Sequence, residues 1–285
     1  MYLKRKQDLY RELKGSPAVV MTVSDVWMTP TPFKESRLWR FSSSAVLLLV
    51  SVCSKVIFGL NKPSVYRKEA FNRCVAKRPQ SKPLITVSNH YSMIDDFLVS
   101  YMLPWKQLRN RPSIRWLPGA KDVCCRTKPT SLFFQLGRVI PVVRGDGVYQ
   151  HGMDFCASRL DEGEWVHIYP EGKVNTTKDF MRLKWGVGRL IADSKVSPLV
   201  LPYWHLGMEN MFPTKKPYYP RVGNKITVVF GEPIDFEEDL RQLREQKKTE
   251  EEVRKYVTDK IQEVFAKLKS ETETRHKGFC ATIDT

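Results

Sequence analysis

The residue pair best suited to chemistry is a histidine and an aspartate five positions apart, His90 and Asp95. A carboxylate on one imidazole nitrogen fixes the tautomer and stabilises the imidazolium that forms when the other nitrogen takes a proton. Such a pair can serve as a general base. On a single helix, at about 100° per residue, the two side chains would point roughly 140° apart. They can therefore meet only if the histidine precedes the helix that carries the aspartate.

The elements predicted around this pair satisfy that condition. The run LITV at residues 84–87 is short, apolar and β-branched, which predicts a strand buried on both faces. An amphipathic pattern at residues 92–102 predicts the helix that follows. His90 then lies in the connecting loop, and Asp95 lies in the first helical turn, from which it can reach back to the imidazole.

The same residues also allow a purely structural interpretation. Ser92-x-x-Asp95 before an apolar run is a helix-capping pattern, and the helix dipole favours an acid at this position. Spacing alone does not exclude this cap. Because Asp96 is also present, one carboxylate can cap the helix while the other pairs with His90.

A second block, GRVIPVVRG, begins at Gly137 and contains Arg144. A strand that ends near Arg144, followed by a Gly-Asp-Gly turn and a helix, places a guanidinium and exposed amides where a phosphate group can bind. We therefore predict that Gly137 and Arg144 contribute to phosphate binding. The alternative is an ordinary strand-turn-helix connection with a solvated arginine.

The third block, IYPEGK, places Glu171 after a predicted strand, at the sheet edge where α/β folds bind ligands. Gly172 allows a tight backbone turn there. Glu171 is predicted to bind a substrate hydroxyl or to hold Arg144, unless it is a solvated turn residue. Lys173 and Lys184 are predicted to extend the positive lining of the substrate site.

The fourth block, LPYWH, ends another predicted strand. Pro202 and Tyr203 are predicted to form the wall of an acyl channel, with the filling of the core as the alternative. His205 is a second candidate base. It ranks below His90 because no acid follows it at short range.

The chain of 285 residues is strongly basic, with a formal net charge of +16 and an isoelectric point near 9.6. This charge favours an anionic partner: nucleic acid, a membrane surface or a phosphate-bearing substrate. The six cysteines show neither C-x-x-C spacing nor the His/Cys clusters of zinc sites, so no metal is predicted.

The most apolar stretch, FSSSAVLLLVSVCSKVIFGL, occupies residues 41–60. Its charge-free part has 14 residues, whereas a bilayer span needs about 20. We therefore predict a helix that enters one leaflet, or lies in the interface with Lys55 extended toward the headgroups. A buried soluble helix and a short true span are the alternatives. Membrane contact is predicted for the central residues Val46, Leu47, Leu48, Leu49 and Val50.

From residue 83 onward the predicted elements alternate, with strands at 114–117, 139–143, 165–169, 199–203 and 226–230 and helices at 148–160 and 180–192. This order predicts an α/β fold with a mixed β-sheet flanked by helices. Periodic apolar residues between 236 and 275 predict C-terminal amphipathic helices. The predicted organisation is a disordered or targeting leader at 1–36, a membrane-associated segment at 37–68, an α/β domain at 69–275 and a tail at 276–285.

In this order the four blocks resemble the glycerolipid acyltransferase superfamily, through its H-x4-D, G…R, PEG and proline blocks. They are represented here by His90 and Asp95, Gly137 and Arg144, Pro170 to Gly172, and Pro202. Within the superfamily, the chain is most similar to the cardiolipin-remodelling transacylases. That similarity is carried by Asn89-His90 with Asp95-Asp96, and by DGVYQHGMDF, WVHIYPEGKVN and RLKWGVGRLIA. Tyr169 stands where much of the superfamily has phenylalanine.

This resemblance implies an enzyme that moves acyl chains between phospholipids and lysophospholipids, without a cofactor, on mitochondrial membranes that face the intermembrane space. The implied lipids are cardiolipin, monolysocardiolipin and phosphatidylcholine. The implied partner is an anionic membrane surface rather than nucleic acid, and the oligomeric state is left open. His90 would be the general base supported by Asp95, and Arg144 with nearby lysines would hold the headgroup phosphate.

Two alternatives stay open from sequence alone. An acyl-CoA-dependent lysophospholipid acyltransferase, of the 1-acylglycerol-3-phosphate type, shares all four blocks and differs only in its acyl donor. A basic membrane-binding or nucleic-acid-binding module would explain the charge, but not the ordered His, Asp, Arg and Glu blocks.

Overall fold

The structure, a computed structural model, describes residues 36–108, 114–212 and 219–282. The predicted leader therefore lies outside the described residues, apart from Ser36. The strands are β1 (Lys62–Tyr66), β2 (Leu84–Ser88), β3 (Leu117–Ala120), β4 (Val139–Val142), β5 (Trp165–Ile168), β6 (Leu199–Leu206), β7 (Lys225–Phe230) and β8 (Ile234–Asp235). The helices are α1 (Arg37–Gly59), α2 (Lys68–Asn72), α3 (Asp95–Met102), α4 (Trp105–Leu108), α5 (Lys121–Cys124), α6 (Lys128–Leu136), α7 (His151–Asp161), α8 (Gly186–Asp193), α9 (Met208–Met211), α10 (Glu237–Glu245) and α11 (Glu250–Ala281), with a π-helical turn at Arg73–Lys77.

The main sheet is mixed, in the order β1-β7-β6-β2-β5, with β8 beside β6. The central strand β2 runs parallel to both β5 and β6, whereas β7 runs antiparallel to β6. Strands β3 and β4 form a separate parallel pair, which a parallel bridge between Trp116 and Val166 joins to β5. The carboxyl ends of β2 to β6 therefore lie along one edge of the fold.

Side chains alternate between the two faces of the main sheet along each strand. Because both faces carry apolar side chains, helices cover both of them. In β2, Ile85 and Val87 face the layer of α7, α8 and α11, whereas Leu84 faces α1, α2 and α3. Gly188 lets α8 approach α11 closely, since a Cβ atom there would lie 2.5 Å from the carbonyl oxygen of Arg254. The long C-terminal helix is thus packed tightly onto the first of these layers.

Helix α1 has the reverse of the usual amphipathic arrangement. It turns three serines toward the protein, and its buried residues are Ser43, Leu47, Ser51, Ser54 and Phe58. Its exposed residues are instead large and apolar, and they include Leu38, Phe41, Leu48, Leu49, Val52 and Val56. Among the described helices, α1 alone is long and apolar enough, by length and composition, to cross a membrane.

Two details of α1 differ from the expectation. Lys55 does not extend toward headgroups, since its Nζ donates to the carbonyl oxygens of Tyr101 and Leu103, each at 3.0 Å. These carbonyls end α3, where the helix dipole favours a cation. Leu47, predicted to contact the membrane, is only 6% exposed because it lies on the serine face.

The other four residues of the predicted membrane contact retain access to the surface. Leu48 and Leu49 are exposed, and Val46 and Val50 are half-buried. The outward side of α1 therefore still provides an apolar face, displaced by part of a turn from the one predicted.

The predicted fold class is confirmed: a mixed sheet flanked by helices, preceded by an apolar helix and followed by C-terminal helices. Some boundaries differ. Helix α8 begins at Gly186 rather than near residue 180, since the backbone of Leu183 is instead bonded to the Gln262 side chain of α11. Strand β1 was not predicted, and it pairs in parallel with β7.

Candidate active site

The candidate site lies at the sheet edge where β2, β5 and β6 end. Strand β2 ends two residues before His90, and β5 ends three residues before Glu171. His205 lies near the end of β6. Because these strands run parallel, the fold brings three sequence blocks to one place.

His90 and Asp95 meet in the way that their spacing predicts. His90 lies in the loop after β2, Asp95 is the first residue of α3, and His90 Nδ1 lies 3.0 Å from Asp95 Oδ2. An ionised carboxylate only accepts, so Nδ1 donates and Nε2 keeps its lone pair. The His90 side chain is 19% exposed, and no residue that the structure describes bonds Nε2. The imidazole can therefore take a proton from an approaching substrate.

Asp95 also closes the loop that carries His90. Its Oδ2 accepts from the backbone N–H groups of Tyr91, at 2.7 Å, and Ser92, at 2.9 Å. These bonds do not form a capping box, because α3 begins at Asp95 with Ile94 as its N-cap, and the Asp95 N–H donates to the Ser92 carbonyl rather than to its hydroxyl. The pairing of Asp95 with His90 is therefore formed, whereas Ser92 does not cap α3 as the alternative interpretation required.

Asp96 has a different partner. Its Oδ1 accepts from Arg115 Nε at 2.7 Å, and the second guanidinium nitrogen contacts its other oxygen. Arg115 is only 3% exposed, and burial lowers its pKa to about 10. The two adjacent acids thus have separate functions, one beside the imidazole and one beside a buried guanidinium.

Asn89 extends the pairing of β2 and β6 beyond the ends of the ladder. Its side-chain amide donates to the His205 carbonyl at 3.0 Å, and its Oδ1 accepts from the His205 N–H at 2.9 Å. His205 Nε2 lies 3.5 Å from Asp95 Oδ2, but His205 is fully buried. It contacts the carboxylate from the protein side, where no substrate reaches it.

Tyr169 supports the imidazole from one face. The two rings are stacked, with centroids 4.0 Å apart and 13° between their planes. The ring of His167 packs edge-on against Tyr169, with centroids 4.5 Å apart. Burial and the nearby Tyr203 and Asp95 raise the pKa of Tyr169 well above its usual value, so the phenol stays neutral. The sequence singled out Tyr169 only as a departure from phenylalanine.

Glu171 is a buried part of the site rather than a solvated turn residue. It is 3% exposed, and its Oε1 accepts from the His90 N–H at 3.3 Å. The same segment holds the loop a second time, since the Asn175 N–H donates to the His90 carbonyl at 2.6 Å. Burial raises the pKa of Glu171 to about 7, against the opposing effect of the His90 N–H and the Asn175 side chain. Its charge therefore changes near neutral pH.

The predicted phosphate ligands are less closely gathered. Arg144 follows β4 on the same edge, is 47% exposed, and pairs with Asp122 Oδ2 at 3.0 Å. Glu171 does not hold it. Lys173 and Lys184 are exposed, and Lys184 lies against Gly172, whose φ of +73° suits glycine.

Gly137 has a structural position instead of a phosphate-binding one. It ends α6, and its N–H donates to the carbonyl of Phe133 at 2.9 Å. The amide predicted to bind phosphate is therefore already used by the helix end.

Pro202 and Tyr203 are buried in the sheet, which is the core alternative rather than a channel wall. Pro202 lies opposite Val87 of β2, and Tyr203 lies opposite Phe230 of β7. Tyr203 is 1% exposed and stacks on His167. Both side chains are enclosed because β6 lies inside the sheet and helices cover both of its faces.

Comparisons with known proteins agree with this geometry. A family model described as acyltransferase matches residues 64–205. Tafazzin of Drosophila melanogaster is 42% identical over 272 residues, which cover 95% of this chain and 72% of the fly protein. The chain belongs to the tafazzin family.

One further relative and one solved structure also match. N-acylphosphatidylethanolamine synthase of Arabidopsis thaliana is 38% identical over 216 residues, which cover 72% of this chain and 74% of the plant protein. The crystal structure of the 1-acyl-sn-glycerophosphate (LPA) acyltransferase from Thermotoga maritima matches with a TM-score of 0.53 and 15% identity, over 84% of each chain. The latter likeness shows the fold alone.

Membership of the tafazzin family confirms the predicted family resemblance and the prediction that the chain is an acyltransferase. The roles of individual residues stay predictions. Two tafazzin-like segments also have a clear structural function that the sequence did not reveal. The ring of Tyr149 lies between the guanidinium groups of Arg189 and Arg254, at 4.6 and 5.1 Å, and Arg189 also pairs with Asp154. These segments therefore join α7 and α8 to α11.

Proposed function

We propose that this protein is a CoA-independent transacylase that moves acyl chains from phospholipids to lysophospholipids and remodels cardiolipin. The observation that carries the proposal is the His90–Asp95 pair, with Nε2 left as the acceptor at the sheet edge. Membership of the tafazzin family supports the lipid substrates, with phosphatidylcholine and monolysocardiolipin as donor and acceptor.

The proposed reaction needs only one acid-base group. His90 Nε2 takes the proton of the lysolipid hydroxyl, and the oxygen attacks the ester carbonyl of the donor. The tetrahedral intermediate then collapses, and the imidazolium returns the proton to the oxygen of the departing lysolipid. Asp95 stabilises the imidazolium in both directions. One ester bond forms and one breaks, so the exchange is nearly thermoneutral and needs no activated donor.

The headgroup phosphate is proposed to lie between the His90 loop and the β4 edge. Arg144 would exchange Asp122 for the phosphate, and Lys173 and Lys184 would add positive charge from the Glu171 side. The outward apolar face of α1 supports a location in one leaflet of a membrane. Mitochondrial membranes facing the intermembrane space are proposed from the tafazzin relatives.

The test is acyl exchange by the purified full chain in vesicles of phosphatidylcholine and monolysocardiolipin. With a labelled acyl chain on phosphatidylcholine, we expect label in cardiolipin without CoA or acyl-CoA, and the reverse transfer from labelled cardiolipin. Transfer only from acyl-CoA, in vesicles that the protein demonstrably binds, would contradict the proposal and favour the 1-acylglycerol-3-phosphate type of acyltransferase.

A second candidate is acyl transfer to the amine of phosphatidylethanolamine, and it follows from the name of the Arabidopsis relative. The same vesicles with phosphatidylethanolamine added decide it, because both acceptors are then present. An amide product resists mild alkaline methanolysis, whereas every ester product releases its acyl chain. We expect the labelled product to be fully alkali-labile; an alkali-resistant product would establish the amine acceptor.

A further inference from the structure

We propose that helix α6 inserts into the same membrane leaflet as α1, so that the lipid surface extends from α1 to the entrance of the candidate site. This inference rests on the proposed lipid substrates for its purpose, although its test measures membrane binding without any reaction.

Helix α6, with the sequence KPTSLFFQL, has no buried residue. Leu132 is 55% exposed and its neighbour Phe133 is 45% exposed. Two adjacent large apolar side chains on the exterior of a helix are unfavourable in water. They are favourable in the acyl region of a leaflet, where Phe and Leu are typical of helices that lie in the interface.

Helix α6 packs against the serine face of α1, close to the beginning of that helix. The hydroxyl of Ser43 in α1 donates to the carbonyl of Leu136, at the end of α6, at 2.7 Å. This bond fixes the two helices side by side. The bond joins the end of α6 to the second turn of α1, so a leaflet that the first turns of α1 enter, at Leu38 and Phe41, passes close to α6.

The other side of α6 reaches the candidate site. Phe134 packs in the small cluster of Leu117, Cys124 and Val139 that also contacts Tyr169. Tyr169 in turn stacks on His90. Adjacent residues of α6 thus point to the exterior and toward the cluster that supports Tyr169, so inserting α6 would bring the candidate base close to the lipid surface.

Charge at the beginnings of both helices fits an anionic lipid surface. Arg126 and Lys128 are exposed at the start of α6, as are Arg37 and Arg40 at the start of α1. Cations that flank an apolar face are typical of helices bound to anionic headgroups. This combination favours a bilayer over a second protein copy as the occupant of the surface.

The test compares two substitutions at positions of equal exposure. Phe133→Glu places a charge on α6, whereas Val196→Glu is the control, since Val196 is also 45% exposed but lies just before β6, at the opposite edge of the sheet. The full chain is sedimented with vesicles of phosphatidylcholine and cardiolipin. We expect Phe133→Glu to weaken vesicle partitioning by about tenfold. We expect Val196→Glu to partition like the unmodified chain.

A third variant keeps the test independent of folding defects. Phe133→Trp should preserve or strengthen binding, because Trp is enriched at membrane interfaces. Equal partitioning of Phe133→Glu and Val196→Glu would overturn the proposal. Two other outcomes would also overturn it. In the first, the unmodified chain dimerises in the absence of vesicles and Phe133→Glu abolishes the dimer. In the second, Phe133→Glu binds vesicles normally but loses turnover in detergent-dispersed lipid. The last result would assign Phe133 to the substrate's acyl chain.

Discussion

Two loops on the same sheet edge differ in how firmly they are held. In the loop from Asn89 to Asp95, most residues are buried, and side-chain atoms of Asn89, Asp95 and Glu171 fix its path. The loop after β4, at residues 143–150, is more exposed. Gln150 bonds both backbone groups of Val143, and Tyr149 lies between two guanidinium groups. Arg144 itself is held less firmly, since it pairs with the exposed carboxylate of Asp122.

The two loops meet different requirements of the proposed reaction. A general base works only within hydrogen-bonding distance of its proton, so its loop has to be fixed before substrate arrives. A phosphate ligand has to accept headgroups of different size. An exposed arginine with a weak ion pair can move to meet them. We therefore expect substitutions in the first loop to lower kcat and substitutions in the second to raise KM.

The largest effect should come from His90→Ala, which removes the base. We expect kcat for lipid-to-lipid transfer to fall by about 10²–10⁴, with little change in KM. Circular dichroism and thermal unfolding should show a folded protein, because the residue lies at the site surface. Near-normal turnover by the folded variant would falsify the mechanism.

Asp95→Asn tests whether the carboxylate does more than close the loop. An amide oxygen can still accept backbone N–H groups, but it cannot balance an imidazolium, so kcat should fall by about 10² or more. Asp96→Asn is the matched control. It should cost about 3 kcal/mol of stability by leaving Arg115 buried without its acid, while sparing kcat in the folded fraction. If Asp96→Asn lowers kcat and Asp95→Asn lowers only stability, then Asp96 rather than Asp95 supports the imidazole.

Arg144→Gln examines the exposed loop. Loss of a charge-assisted bond to phosphate should raise KM for monolysocardiolipin by about tenfold, with kcat unchanged. Arg241→Gln is a suitable control, because Arg241 is also exposed and ion-paired but lies on α10. If Arg144→Gln lowers kcat alone, then the second loop is as much a part of the chemical step as the first.

Tyr169 provides a smaller and more selective test of the fixed loop. Tyr169→Phe keeps the stacked ring and should retain most of the activity. Tyr169→Leu removes the ring and should lower kcat by about fivefold, corresponding to the roughly 1 kcal/mol of an aromatic pair. Equal kcat values for the two variants would show that stacking on His90 contributes nothing.

The last test concerns the pH dependence of stability rather than turnover. The pKa of Glu171 is raised by burial to about 7. Between the usual pKa of a glutamate, 4.5, and about pH 7, Glu171 keeps its proton in the folded protein but loses it in the unfolded chain. The free energy of unfolding therefore falls as the pH rises through this range. Glu171→Gln keeps an acceptor for the His90 N–H without a charge. Its Tm should match the unmodified chain near pH 5 and exceed it at pH 8, and a constant difference between these pH values would exclude a buried ionising carboxyl.

Much of the main fold could be predicted because its signals are local. The apolar run of β2, the five-residue spacing of His90 and Asp95, and the periodic C-terminal helices all follow from short segments. Strand β1 could not be found in this way. Its sequence, KPSVY, is polar and contains proline, and it forms a strand by pairing with β7, far along the chain.

The missed parts of the site share this long-range origin. Asn89 acts on the backbone of His205, and Arg115 is recognisable only beside Asp96. Tyr169 becomes significant through its stack on His90. An asparagine directly after a buried strand was a usable signal, since its amide can continue a backbone ladder, but its partner strand was not predictable from the sequence.

The pairing of β1 with β7 also limits how early the sheet can be completed. Helix α1 leaves the ribosome long before β7, and only β7 gives β1 its partner. The apolar face of α1 can therefore meet a lipid surface while the catalytic sheet is still incomplete. Closing the sheet requires contacts of high sequence separation, which form slowly. If α1 enters the membrane before the sheet is complete, its exposed leucines and valines are sheltered from aggregation during that interval.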